Sequence, residues 1–96
     1  MSKQNNSVTL TLNEPLKQGK GESATTITAV TLRKPNSGEL RGTKLADLLQ
    51  MDTDAVAAVA ERITEPQITT HDFFKLDPAD ITDIALEVVG FLNGRR

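Results

Sequence analysis

The hydrophobic positions of this chain change period once, near residue 36. Before that point they alternate. Val8-Thr9-Leu10-Thr11-Leu12 places Val8, Leu10 and Leu12 on one face of a strand, and Pro15 is expected to stop it. Leu16 to Ser23, with Gly19 and Gly21, reads as a flexible connection. Thr25–Leu32 is rich in β-branched residues and reads as a second strand. Thr28, Val30 and Leu32 share one of its faces, with Ile27 and Ala29 on the other. An antiparallel pair with one buried face follows. Two strands alone are marginal, so helices must cover that face or another chain must add strands.

Pro35-Asn36-Ser37-Gly38 is a turn, and beyond it the period is that of a helix. Glu39 to Gln50 is helical in character, interrupted or started at Gly42-Thr43, with Leu45, Leu48 and Leu49 as its apolar stripe. Thr53 is placed to cap a second helix from Asp54 to about Ile63, where Val56, Val59, Ala60 and Ile63 recur on one side. Thr69 or Thr70 caps a short turn holding His71, Phe73 and Phe74, with one phenylalanine in the core and one partly exposed. In the final helix, Asp77 caps, Pro78 takes the first helical position, and Asp80 suits the positive helix end. Asn93-Gly94 stops it near Leu92.

The fold class is therefore α+β: an N-terminal antiparallel β-hairpin over residues 8–32, then three to four short helices over 37–93. Residues 1–7 are polar and expected to form a disordered tail, and the 96 residues form a single domain. The net charge of −2, from 11 basic and 13 acidic side chains, is too balanced to attract a phosphate backbone over long range. There is no cysteine, so disulfides, thiol chemistry and zinc thiolate sites are excluded. No stretch approaches the roughly 20 apolar residues that span a bilayer, and the polar start is no signal peptide. A soluble, intracellular chain is expected.

Catalytic chemistry finds little to use. His71 beside Asp72 is the one candidate pair, and no nucleophile stands in a Gly-x-Ser-x-Gly turn. Asp52-Thr53-Asp54 lacks the glycine and distal glutamate of a calcium loop, and helix capping explains the acidic residues better. Gly19-Lys20-Gly21 lies outside the strand-to-helix context of a phosphate loop. Read as a helix-turn-helix, the segment 43–63 offers a DNA groove only Arg62. No enzyme, metal, cofactor or nucleic-acid partner is expected.

The final helix is richer in information. Ile81, Ile84, Ala85, Val88 and Leu92 cluster on one side, with Phe91 on one edge and Val89 on the other. Leu86 falls roughly 140° from Ile81, outside an ordinary core stripe. Two readings stand beside each other: a central helix covered on all sides, or a helix that keeps apolar surface for a partner.

The order of segments resembles a known family. Val8-Thr9-Leu10-Thr11-Leu12-Asn13-Glu14-Pro15 precedes Leu32-Arg33-Lys34-Pro35-Asn36-Ser37-Gly38-Glu39-Leu40-Arg41-Gly42, then Glu61-Arg62-Ile63-Thr64-Glu65-Pro66, then Leu76-Asp77-Pro78-Ala79-Asp80-Ile81 and Val88-Val89-Gly90-Phe91. The chain resembles the small tail assembly chaperones of contractile-tailed bacteriophages, the E-protein or Mu-like type. The resemblance implies a chaperone, made in the bacterial host cytoplasm during assembly, that binds the tape measure protein. It would keep that protein soluble until tail tube protein polymerises around it. It brings no catalytic residues. The residues assigned to protein binding are Phe74, Leu86, Val89 and Phe91. Tail tube protein as a second partner, and self-association, are left open. The alternative is a structural tail or baseplate subunit whose β-pair joins a ring.

Overall fold

A computed structural model describes residues 7–19 and 21–94. The expected tail, apart from Ser7, lies outside the described residues. The elements run β1 (Ser7–Gln18), β2 (Thr25–Arg33), α1 (Leu45–Leu49), α2 (Thr53–Ile63), β3 (Thr64–Glu65), α3 (Thr70–Phe73) and α4 (Pro78–Leu92). Short 3-10 turns occupy Gly21–Ser23 and Ser37–Leu40. The β-hairpin followed by helices is present, as the change of period implies. β3, only two residues long, is added antiparallel to the far side of β2, giving the order β1-β2-β3.

Pro15 does not stop the first strand. β1 pairs with β2 from Ser7↔Arg33 to Thr11↔Ala29, breaks register, and pairs again from Leu16↔Ile27 to Gln18↔Thr25. Leu12 to Pro15 thus face the single Thr28. A proline is tolerated there because the edge strand bulges away from its neighbour and needs no amide from it. The odd excess of residues also shifts the alternation on β2. Ile27 joins Val30 and Leu32 in the core instead of facing away, and Thr28 is exposed.

The bulge is held by α4. The Asp80 carboxylate, 1% exposed, accepts from the Asn13 backbone amide at 2.7 Å, the Asn13 Nδ2 at 2.8 Å and the Glu14 amide at 3.2 Å. Asp80 does lie in the first turn of α4, where it suits the positive helix end. Beyond that, it is a buried carboxylate that takes the amides β2 cannot accept. Such charge-assisted bonds are the strong kind, and a buried carboxylate is tolerable only when it is bonded in this way.

The helix ends are local matters. Asp77 accepts from the Ala79 amide at 3.0 Å with Pro78 behind it, as the sequence indicates. The cap of α2 is Asp52, which accepts from Ala55 N at 3.0 Å, and Thr53 is the first helical residue rather than the cap. Thr69 caps α3 by accepting from Asp72 N at 3.1 Å. Met51, at φ 59°, makes the left-handed step that lets α2 leave α1 at once.

The core gathers Leu12, Leu16, Ile27, Val30 and Leu32 from the sheet, and Leu48, Val56, Val59, Ile63, Ile68, Phe73, Ile84, Val88 and Phe91 from the helical part. α2 is buried over Ala55, Val56, Ala57, Val59, Ala60 and Ile63 and is the central helix. The Thr64 hydroxyl, donating to Ala60 O and accepting from Ile68 N, folds the chain back after α2. Gln18 Nε2 donates to Gln67 O and to Asp72 Oδ2, each at 2.9 Å, and ties the end of β1 to α3.

Asp80→Ala is expected to lower unfolding free energy in urea by about 2–3 kcal/mol, because the bulge amides lose an ionised acceptor. Asp83→Ala, on the exposed side of the same helix, is expected to stay within about 0.5 kcal/mol.

Candidate protein-binding surface

Of the four residues assigned to protein binding, the fold leaves two well exposed. Leu86 is 53% exposed, and Phe74 is 51% exposed. Val89 is half-buried one turn of α4 beyond Leu86. Phe91 is a correction: at 3% exposure it belongs to the core. Phe91 does lie at the edge of the apolar stripe, about 20° from Ile84, but the buried side of α4 runs past it to Asp80, so that edge is covered as well.

Phe74 does not float freely. Its ring meets that of the sealed Phe73 edge-on, with centroids 5.5 Å apart and planes at 84°. One phenylalanine is core and the other surface, as expected of adjacent positions, and the inner ring fixes the outer one. An exposed aromatic held this way loses little freedom on meeting a partner.

The sequence missed a second apolar group. Leu45, Leu49 and Met51 are 54%, 49% and 39% exposed, and only Leu48 of the α1 stripe is buried. A helix of five residues presents barely one turn to its neighbours, so one leucine can reach the core. Leu45 and Leu49, four residues apart, stay outside together. No sequence signal separates them from Leu48. Beside the α1–α2 corner lies an open cavity of about 270 Å³ lined by Gly42, Thr43, Lys44, Asp47, Asp52, Asp54, Ala55 and Ala58. Among the described residues no group of acidic and histidine side chains is arranged to hold a metal ion.

The other candidates are absorbed by structure. The Asp72 carboxylate is committed to Gln18 and lies 3.7 Å from Lys75 Nζ, while His71 is exposed. The helix-turn-helix reading fails on burial, since α2 is central. The guanidinium of Arg62, its one base-reading candidate, donates from Nη1 to the carbonyls of Glu39 and Arg41. Among the described residues no helix is long and apolar enough to cross a membrane.

Two of the segments that carry the resemblance meet at Arg62. Arg33, at the end of β2, grips Glu39 in a bidentate pair, with Nη1 to Oε1 at 2.7 Å and Nη2 to Oε2. Its Nη2 also donates to Arg62 O at 2.9 Å. Glu39 Oε1 accepts from the Asn36 amide at 2.9 Å. The hydrogen bonds from Arg33, then that from Asn36, hold the Glu39 carboxyl down at about 2, below its usual 4.5. The same pairing raises Arg33. The Leu32–Gly42 and Glu61–Pro66 segments are thus two halves of one joint between sheet, turn and central helix.

Residues 9–93 match the family of phage tail assembly chaperone proteins, E, or 41 or 14, and the chain belongs to that family. It is 38% identical over 93 residues to tail assembly protein E of Escherichia phage P2, covering 97% of this chain and 94% of that protein. It is likewise 38% identical over 92 residues to tail assembly protein E' of the same phage, covering 96% of this chain but 60% of that longer relative. No solved structure matches. A tail assembly role for the chain follows from these findings.

The joint generates an acid signature. A carboxyl with a lowered folded value stabilises fully above its unfolded value and loses that contribution as pH falls through the folded one. Glu39 therefore supports the fold above about pH 4.5 and ceases to do so towards pH 2. Urea midpoints taken across that window should converge for the wild type and Glu39→Gln at the acid end and separate at neutral pH, with the wild type more stable.

Proposed function

We propose that the protein is a tail assembly chaperone that binds the tape measure protein and keeps it soluble until tail tube protein polymerises around it. It does so in the cytoplasm of the bacterial host. Family membership supports the assembly role. The single structural observation that supports client binding is the large apolar side chains Leu86 and Phe74 left half exposed on a chain with only three aromatic residues. Val89 extends the α4 surface. A client helix would lay its apolar stripe against these residues.

Magnitude favours a transient hold. Finishing the burial of a half-exposed leucine or phenylalanine contributes about 1–1.5 kcal/mol. A few such contacts, less the cost of association, give a weak grip that polymerising tube subunits displace. No bond-making chemistry is needed.

In coexpression with the tape measure protein, Leu86→Asp combined with Phe74→Asp should reduce soluble client several-fold. The chaperone's own stability should change by less than about 1 kcal/mol, because these side chains contribute little to the core. Unchanged client solubility with a folded double variant would exclude this surface. A loss caused instead by Leu45→Asp with Leu49→Asp would move it to α1.

A further inference from the structure

β1 forms one edge of the sheet. Among the described residues β1 pairs with β2 alone. Proteins protect such edges with bulges, prolines and charges. The second half of β1 carries all three, in the Leu12–Pro15 bulge, Pro15 and Lys17. The first half, Ser7-Val8-Thr9-Leu10-Thr11-Leu12, carries no proline and no charge.

Burial points the same way. On the core side of β2, Leu32 and Val30 are sealed, at 0% and 1% exposure. Their direct neighbours on β1, Val8 and Leu10, are only half-buried. Apolar cover fades toward the free edge, whereas on the opposite side β3 adds pairing to β2.

We propose that two copies of this chain join through this edge, β1 against β1, antiparallel across a twofold axis centred on Leu10. In that register Leu10 meets the partner's Leu10, Val8 meets the partner's Leu12, and Thr9 meets the partner's Thr11. Side chains alternate with period two, so this register sets apolar against apolar and threonine against threonine. A one-residue slip would oppose leucine and threonine and turn the two apolar faces to opposite sides. The twofold arrangement keeps both faces on one side and extends cover over Val8 and Leu10. The bulge ends the ladder where the uncharged run ends. None of Phe74, Leu86 or Val89 takes part, so this pairing does not rest on the client-binding reading.

Sedimentation equilibrium of the full chain from micromolar to millimolar concentration tests it. The wild type should form a reversible dimer. Thr9→Lys with Thr11→Lys places like charges across both threonine pairs and should weaken dimerisation at least tenfold. Thr9→Lys with Thr11→Glu makes the same two sites complementary across the axis and should retain the dimer. Circular dichroism verifies that each variant folds. A wild type that stays monomeric throughout overturns the proposal, as does a folded doubly basic variant that dimerises like the wild type. A folded mixed-charge variant that is monomeric overturns the register. Hydrogen exchange on the wild type is independent of any variant. Amide protection across Thr9–Leu12 that rises with concentration supports the pairing, and protection that does not rise overturns it.

Discussion

One buried carboxylate connects the two halves of this fold. Asp80, on the first turn of α4, accepts three N–H groups from Asn13 and Glu14, where β1 swells away from β2. Without an acceptor there, the bulge would leave amides with no sheet partner beside an apolar core. Without the bulge, the carboxylate would be a buried charge with nothing to bond. Each feature is tolerable because of the other. The contact spans 67 positions in sequence, and it docks the last helix on the first strand. From that docking follow the burial of Ile84, Val88 and Phe91 and the outward placing of Leu86.

The segments that carry the family likeness are joints. Arg33, Glu39 and Arg62 bind the end of β2, the following turn and α2 to one another through the bidentate pair and backbone carbonyls. The Asp-Pro-Ala-Asp start of α4 supplies both the cap and the bulge anion. Residues so committed are poorly placed to contact a client. The exposed large apolar side chains are ones the core does not use: Leu86, Phe74 with its ring braced by Phe73, and the α1 leucines Leu45 and Leu49, and the proposed client binding would fall to the first two. This division fits the proposed transient hold on a client, since a surface can be weakly apolar without weakening the core beneath it.

Much of this was legible along the chain. The alternation of Val8, Leu10 and Leu12, the turn at Pro35–Gly38, the Asp77–Pro78 cap and the split roles of Phe73 and Phe74 are local facts, and each holds in the structure. The failures were of another kind. Pro15 reads locally as a stop, yet β1 runs through it because the edge strand bulges. Asp80 reads only as a dipole partner because the N–H groups that donate to it, on Asn13 and Glu14, lie far away in sequence. Leu45 and Leu49 read as core because periodicity does not report that α1 is five residues long. Phe91 stands at the edge of the apolar stripe, as its spacing indicates, but that edge is covered because the buried side of α4 continues to Asp80, which the sequence pattern does not report.

The sequence by itself determined the element types, most of their ends, the α+β order and the family, because periodicity, capping and turn chemistry act over a few residues. The tertiary structure alone decided that β1 resumes after its bulge, that Asp80 is its anchor, and which leucines remain outside. These depend on which distant groups meet, and a buried polar group or a half-covered leucine is defined by its neighbours in space, not by its neighbours in the chain.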